Sequence, residues 1–480
     1  MQEILIGANE NRQVIMDAAM GNRHGMISGA TGTGKTVTLQ ILAEGYSRLG
    51  VPVFMADIKG DLSGMAKAGQ MHEKITERVQ KIRINNFQLR ANPTVFWDIF
   101  ARNGHPVRTT ISEMGPLLLS HLLELNDTQS GVLYSCFKLA DDQGLLLLDL
   151  KDLRAMLNWM AENSKDLKSE YGNISSASVG AIQRRLLVLD EQGASEFFGE
   201  PAIKTDDFQR TDFSGNGVIS ILDATELTSK SPRLYAAFLL WLLSDLFETL
   251  PEVGDADRPK LVLFFDEAHL LFDRAPRVLV DKIEQITRLI RSKGVGIYFI
   301  SQSPLDIPGD VLGQLGLKIQ HALRAYTPKD RKVIKAVAET FRSNPALDTE
   351  QVIKELKTGE ALVSVLNKDG SPTPVERILI RPPESQIAAL TEAERIESIS
   401  RSPYKNRYDQ DIDRQSAYEM LKQKAEQMAV ATEQQEKPKS VRSRQSAGEA
   451  MLKSVARSVG SQLGRQIVRG IMGSLFGSRR

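Results

Sequence analysis

Cysteine is almost absent from the sequence, since Cys136 is the single example in 480 residues. One thiol excludes an intrachain disulfide and a zinc site built on several cysteines. The first residues, MQEILIGANENRQ, have neither the basic stretch nor the apolar core of a secretion signal. The longest apolar run, YAAFLLWLL at residues 235–243, is about half as long as a bilayer-spanning helix. We therefore expect a cytoplasmic protein without a transmembrane segment.

An excess of charge of either sign is also missing, because 61 Lys and Arg residues face 60 Asp and Glu residues. The chain as a whole lacks the basic footprint that many nucleic-acid-binding proteins carry. This argues only weakly against DNA, since a ring-shaped motor can hold its basic groups on a few pore loops. The length predicts several domains of about 150 residues each.

Apolar segments separated by helical ones predict the fold class. The stretch HGMISGATGTGKT predicts a short strand, a glycine-rich turn and the start of a helix, and VPVFMADIKGD predicts a second strand. Strand, helix and strand over roughly thirty residues form a βαβ unit and require a parallel sheet. Further strands are predicted at GVISILDA, KLVLFFDEA, GIYFISQS, IQHALRA and EALVSVL. The sequence therefore predicts an α/β fold with a mostly parallel central sheet.

Residues 29–36, GATGTGKT, fit the phosphate-binding pattern G-x-x-x-x-G-K-[ST] at every fixed position. Glycines let the backbone N–H groups surround phosphates, and the following helix points its positive end at the same anion. We expect Lys35 to reach the β- and γ-phosphates of a nucleotide and the Thr36 hydroxyl to bind Mg²⁺. The predicted nucleotide-binding residues are Gly29, Ala30, Thr31, Gly32, Thr33, Gly34, Lys35 and Thr36.

Polar side chains follow two later strands. Asp266 and Glu267 come directly after the apolar run Leu261–Phe265, at the carboxyl end where α/β sheets bind ligands. We expect Asp266 to hold Mg²⁺ through water and Glu267 to polarise the attacking water. Gln302 follows the strand in GIYFISQSP and is a candidate sensor of the γ-phosphate.

Other charged residues have open roles. Asp57 and Lys59 end the second strand and are candidates for contact with Mg²⁺, water or the γ-phosphate, or form a solvated turn. Arg291 precedes the sensor strand, and an arginine supplied across a subunit interface accelerates phosphoryl transfer by roughly 10³ to 10⁵. Arg324 is a second candidate for that arginine, and Arg288 is interpreted as a surface residue.

Three regions are expected along the chain. Residues 1–383 form the nucleotide-binding domain, with a helical insertion at about 109–195, where apolar residues recur at helical spacing. Residues 384–445 are polar and predict linker and helix. Residues 446–480 predict a basic amphipathic helix, because their apolar residues recur every three or four positions. Such a tail can bind DNA, an anionic membrane or its own ring, and it is a possible site for a protein partner.

Together, these pieces resemble the HerA–FtsK superfamily of ring-forming, DNA-pumping ATPases over roughly residues 7–383. The stretches that carry the resemblance are GATGTGKT, DIKGD, LVLFFDEAHLLF and RLIRSKGVGIYFISQSPLDIPGDVLGQLG. Within the superfamily, the sequence is most similar to the bacterial HerA-like proteins typified by YjgR.

The resemblance implies a RecA-like P-loop NTPase that binds ATP and Mg²⁺ at the interfaces of a homohexamer. It implies that Lys35, Glu267, Gln302 and Arg291 are catalytic, with Arg291 acting on the neighbour's nucleotide. It also supports Asp57 as a nucleotide-binding residue and the helical insertion as a feature of the subfamily.

HerA itself has an N-terminal β-barrel that docks a nuclease. Fewer than thirty residues precede the P-loop here, so we expect no such barrel, and a nuclease partner is doubtful. The expected function is an ATP-hydrolysing ring motor that translocates DNA. Two alternatives stay open, namely an ATPase that moves a protein cargo and a slow nucleotide-dependent switch or scaffold.

Overall fold

The computed structural model describes residues 2–254, 256–273, 277–324, 327–412 and 414–435. The strands within these ranges are β1 Glu3–Ala8, β2 Gln13–Asp17, β3 Gly25–Ser28, β4 Val53–Asp57, β5 Thr94–Asp98, β6 His105–Pro106, β7 Ile219–Asp223, β8 Leu261–Phe265, β9 Val295–Ser301, β10 Leu317–Gln320, β11 Glu360–Ser364 and β12 Glu376–Ile380.

The α-helices in the same ranges are α1 Lys35–Arg48, α2 Glu73–Ile82, α3 Ile111–Leu122, α4 Asp127–Asp142, α5 Leu150–Glu162, α6 Ser164–Tyr171, α7 Ser176–Glu191, α8 Ala194–Phe197, α9 Thr225–Lys230, α10 Pro232–Thr249, α11 His269–Asp273, α12 Arg277–Leu289, α13 Gly309–Leu312, α14 Pro328–Glu339, α15 Thr349–Glu355, α16 Glu392–Ser400 and α17 Ala417–Gln435. Short 3₁₀ helices lie at Ala18–Arg23, Leu62–Ala66, Thr205–Phe208, Ile290–Lys293 and Pro304–Asp306.

One sheet contains all of these strands, in the order β2-β1-β12-β11-β10-β3-β9-β8-β4-β7-β5-β6. The strands from β10 to β6 in this order run parallel, and β11, β12, β1 and β2 pair antiparallel at one side. The predicted α/β fold with a mostly parallel sheet is therefore confirmed. The sequence did not predict β1, β2, β5, β6 or β12.

Burial explains why the central strands read as continuous apolar runs. Every residue of β4, β8 and β9 is buried, as expected for parallel strands covered on both faces. Helix α1 buries Leu39, Leu42 and Tyr46 in the same core, and the Tyr46 ring lies edge-on to Tyr298 of β9 at a centroid distance of 5.9 Å. The helix that follows the P-loop is thus held firmly on the sheet.

The chain divides into two compact units. Among the described residues, the first contains residues 2–107 and 203–410 and includes the sheet, and the second contains residues 108–202 and 411–435. The segment 384–445, for which we expect linker and helix, contains α16 and α17, but residues 384–410 are part of the first compact unit.

Two tyrosines hold the segment after α16 within the first unit. Tyr404 and Tyr408 are each 2% exposed and pack on Trp97 at the end of β5, at centroid distances of 5.0 and 5.7 Å. The Tyr404 hydroxyl donates to the Asp207 carbonyl at 2.9 Å, and the Tyr408 hydroxyl donates to the Asp207 carboxylate. A polar stretch of sequence thus supplies part of the core.

The second unit contains the predicted helical insertion. Helices α3 to α8 lie between β6 and β7, and α17 packs on α5. Asp152 of α5 is buried and accepts hydrogen bonds from Ser416 Oγ and from the backbone N–H of Tyr418. The expected basic helix at 446–480 lies outside the described residues, and no described helix is long and apolar enough to cross a membrane.

Candidate functional site

Four neighbouring strand ends bring predicted site residues to one edge of the sheet. The P-loop follows β3, Gln302 follows β9, Asp266 follows β8 and Asp57 ends β4, and these strands are adjacent in that order. Neighbouring strands lie about 4.8 Å apart, so the four ends span roughly 15 Å. Carboxyl ends of parallel strands are where α/β proteins bind their ligands.

The P-loop backbone encloses the Lys35 ammonium. Gly29 and Gly34 have φ angles of 147° and 116°, in a region that side chains disfavour. A Cβ atom on Gly29 would lie 2.5 Å from Cβ of His321. Lys35 Nζ donates to the carbonyl oxygens of Gly29 at 2.6 Å and Ala30 at 3.2 Å. Burial lowers the pKa of Lys35, and the charge of Lys59 lowers it further.

His321, just after β10, is a residue of this site that the sequence analysis missed. Its Nδ1 lies 3.0 Å from the carbonyl oxygen of Glu360, which can only accept, so Nδ1 carries the hydrogen. Burial lowers the pKa of His321 to about 4, so the ring is neutral at pH 7 and Nε2 accepts from Thr38 Oγ1 at 2.9 Å. His321 thereby links the first turn of α1 to β11. No motif in the sequence marks this role.

Both acidic residues after β8 are buried. Asp266 is 5% exposed and Glu267 is 6% exposed. Asp266 Oδ1 accepts from the backbone N–H of Glu267 at 2.9 Å, and burial raises the pKa of Asp266 to about 6. Glu267 has a φ of +43°, a strained conformation for a residue with a side chain that costs on the order of 1 kcal/mol or more. Strain of this kind is typical of functional sites.

Asp57, at the end of β4, is buried and holds the loop that follows it. Asp57 is 1% exposed, and its carboxylate accepts from the backbone N–H groups of Lys59, Gly60 and Leu62 at 3.2, 2.7 and 3.0 Å. Burial raises the pKa of Asp57 to about 7. A direct nucleotide contact by Asp57 stays a prediction, and its hydrogen bonds favour a role in shaping the loop.

Lys59 faces the acidic pair after β8. Its Nζ lies 2.5 Å from Glu267 Oε1 and 3.8 Å from Asp266 Oδ2. Burial alone lowers the pKa of Lys59, but the nearby carboxylates outweigh burial and leave that pKa raised. Lys59 was one of the open candidates in the sequence, and its ion pairs favour a functional role over a solvated turn.

Oxygen atoms beside Thr36 fit a Mg²⁺ ion. Thr36 Oγ1 lies 3.4 Å from Asp61 Oδ2, while Asp61 Oδ1 is buried and has no hydrogen-bond partner among the described residues. Asp266 is the nearby carboxylate at the end of β8, and Mg²⁺ is usually held by one or two carboxylates together with nucleotide phosphates. Thr36 and Asp266 would hold the ion, and Asp61 adds a carboxylate that the sequence analysis did not identify.

Gln302 is tied to the P-loop through its backbone. Its carbonyl oxygen accepts from the N–H of Gly29 at 3.2 Å, while the residue itself is exposed. The preceding residue, Ser301, donates to the carboxylate of Asp306. The sensor strand and the P-loop are therefore connected, and the sensing role of Gln302 stays a prediction.

The two candidate arginines lie at opposite ends of the parallel strands. Arg291 precedes β9, whose seven residues extend for roughly 20 Å before Gln302 is reached. An arginine so placed is too far from its own P-loop for direct contact. Arg324 follows β10 on the P-loop edge, and its Nη1 donates to the carbonyl oxygen of Lys354 at 2.9 Å. The distance rules out contact between Arg291 and its own P-loop, and action of either arginine on a neighbour's nucleotide stays a prediction.

The family model described as Helicase HerA-like C-terminal matches residues 2–446 and, in a second match, residues 435–480. The chain belongs to the HerA-like helicase C-terminal family. The narrower similarity to the proteins typified by YjgR stays a prediction.

Two curated relatives are similar to this family member. The DNA double-strand break repair helicase HerA of Sulfolobus acidocaldarius is 21% identical over 368 residues, which cover 75% of this chain and 65% of that protein. A Methanocaldococcus jannaschii protein named probable helicase MJECL08 is 33% identical over 125 residues, which cover 25% of this chain and 22% of that protein. The chain thus spans less than two thirds of either relative.

Two solved structures share the fold. The bacterial conjugative coupling protein TrwB, without its first 70 residues, is 15% identical with a TM-score of 0.51, over 80% of this chain and 91% of that one. VirB4 of Thermoanaerobacter pseudethanolicus is 18% identical with a TM-score of 0.50, over 82% of this chain and 98% of that one. These likenesses identify the fold of this family member as RecA-like.

Proposed function

We propose that this chain is an ATP-hydrolysing motor that forms a homohexamer and translocates DNA. The observation that carries the proposal is the convergence of Lys35, Thr36, Asp266 and Glu267 at one sheet edge in a HerA-like chain. Both curated relatives are named as helicases, which supports DNA as the cargo.

The P-loop residues would bind the nucleotide triphosphate. The Lys35 ammonium already lies inside the curve of the loop, where it can exchange its two carbonyl partners for phosphate oxygens. Thr36, Asp266 and the neighbouring Asp61 would hold Mg²⁺, which when bound neutralises charge on the phosphates. Gly29, Gly32 and Gly34 let the backbone curve around the anion, because their positive φ angles of 147°, 75° and 116° disfavour other residues.

Glu267 would act on the attacking water. A carboxylate that takes a proton in the transition state contributes typically 10² to 10⁴ in rate. Glu267 is buried and conformationally strained, so its position is fixed before the substrate arrives. Together with Asp266 it forms the acidic pair after β8 that we call the Walker B carboxylates. Gln302, beside Gly29, would report the state of the γ-phosphate to the sensor strand.

Arg291 would complete the site of the adjacent subunit. Its place at the opposite end of the parallel strands fits an arginine presented to a neighbour rather than to its own nucleotide. A closed ring of six such contacts links each hydrolysis event to the next subunit. A protein partner at residues 446–480 and a cytoplasmic location stay predictions.

Steady-state ATP turnover with and without double-stranded DNA tests the proposal. Lys35→Ala serves as the blank, because it removes the phosphate-binding ammonium. We expect turnover that depends on Lys35 and rises with DNA at moderate salt. Turnover that ignores DNA would favour a protein cargo, and slow turnover with nucleotide-dependent association would favour a switch or scaffold.

A further inference from the structure

Lys59 occupies the position of a counter-cation at the Walker B carboxylates. Its Nζ lies within 2.5 Å of Glu267 Oε1 and 3.8 Å of Asp266 Oδ2. The carboxylate side chains are 7 to 8% exposed, whereas the Lys59 side chain is 37% exposed. The acidic groups are therefore fixed in the core, and the lysine reaches them from the solvent side on a flexible stem.

The oxygens that Lys59 contacts belong to the residues that MgATP needs. Asp266 is the expected Mg²⁺ carboxylate, and Glu267 must be free to take a proton from water. Lys35 carries a second ammonium, and the charge of Lys59 lowers the pKa of Lys35. Adding a divalent cation to this group raises the repulsion, and Lys59 is the cation with a path to solvent.

We propose that Lys59 competes with Mg²⁺ for the Walker B carboxylates and keeps Glu267 paired until the nucleotide–Mg²⁺ complex displaces it. This inference rests on the proposed function, since it assumes that the site binds MgATP. The other oxygen of Glu267, Oε2, lies 3.3 Å from His269 Nδ1 but has no hydrogen-bond partner among the described residues, so displacement of Lys59 leaves the carboxylate free to bind water. Lys59 would then keep Glu267 from acting on water before the nucleotide–Mg²⁺ complex is bound.

The test is a Mg²⁺ titration of nucleotide binding that does not depend on turnover. The full chain is mixed with a fluorescent, non-hydrolysable ATP analogue, and binding is followed as Mg²⁺ is added. We expect Lys59→Met to lower the half-saturating Mg²⁺ concentration by about fivefold or more, since the competing charge is gone. Lys59→Arg keeps the charge and should stay within about twofold of wild type. Lys59→Gln provides a second neutral variant with the same expected result.

Lys67→Met is the matched control, because Lys67 pairs with Glu394 away from the Walker B residues. It should leave the half-saturating Mg²⁺ concentration unchanged. An unchanged or higher value in both Lys59→Met and Lys59→Gln would overturn the inference. Failure of the proposed function looks different, because wild type would then bind no more analogue than Lys35→Ala does.

Discussion

Glu267 combines two features that a surface carboxylate lacks. It is buried at 6% exposure, and its backbone adopts a φ of +43° immediately after a buried strand. Both cost free energy, and neither is needed to fold a strand end, where Gly or Asn would fit more easily. A functional demand on this position explains why a glutamate is held there.

Glu267→Gln tests the catalytic role of Glu267, because it replaces one carboxylate oxygen by an amide nitrogen. The amide keeps the size of the side chain but cannot take a proton, so turnover should fall by about 10² to 10⁴ while ATP binding persists. The trapped ATP should also stabilise the ring. Glu77→Gln on the exposed face of α2 is the control and should leave turnover unchanged. Normal hydrolysis by Glu267→Gln would remove Glu267 from the catalytic role.

Site residues that directly follow an apolar strand could be predicted from the sequence. Contacts that depend on the conformation of a loop could not. The P-loop, Asp266 and Gln302 each follow an apolar strand, so their positions at one sheet edge follow from strand order alone. The pairing of Lys59 with Glu267 depends on how the loop after β4 bends around Asp57. No sequence motif marks His321, because its contacts arise only when β10 and β11 lie beside the P-loop.

At the scale of elements, the segment after α16 shows why composition misleads. Its polar composition predicts linker and helix outside the core, yet Tyr404 packs on Trp97 and is 2% exposed. Arg210 and Arg407 lie over the Tyr404 ring at 5.5 and 5.8 Å from its centroid. Two tyrosines are enough to bind a polar stretch to the core. Strands β1, β2 and β12 escaped prediction for a related reason, since they lie toward one side of the sheet and are not purely apolar.

Tyr404→Ala should therefore destabilise the first unit by about 3–5 kcal/mol, the usual cost of deleting a buried aromatic ring. Chemical denaturation followed by tryptophan fluorescence measures it, because Trp97 lies in the same cluster. Tyr134→Ala removes a tyrosine that is 45% exposed on α4 and should change stability by less than about 0.5 kcal/mol. Equal denaturation midpoints for the two variants would contradict the packing role of Tyr404.

In the whole molecule, the proposed motor needs nucleotide sites that are shared between subunits. Arg291 lies roughly 20 Å from its own P-loop, so in the proposed motor it would act on the nucleotide of another chain. A ring is the simplest closed arrangement in which every P-loop receives such an arginine.

Arg291→Ala should abolish most turnover, by roughly 10³ or more, and leave nucleotide affinity largely intact. Mixing Arg291→Ala with Lys35→Ala should restore part of the activity, because some interfaces then pair an intact P-loop with an intact arginine. Native mass spectrometry would establish that mixed rings form. Mixed rings that recover no activity would argue against a shared site. If mixing with Lys35→Ala restored activity to Arg324→Ala but not to Arg291→Ala, the role of the shared arginine would belong to Arg324.

Movement of DNA is the central claim, and displacement of the third strand from a DNA triplex measures it most directly. The DNA substrate carries a stretch of duplex beside the triplex, on which the protein can start. If the chain translocates DNA, wild type should release the third strand, and only when ATP is hydrolysed. Glu267→Gln should bind the same DNA and release nothing. Robust ATP turnover by wild type with no strand release would contradict the proposal that this chain translocates DNA.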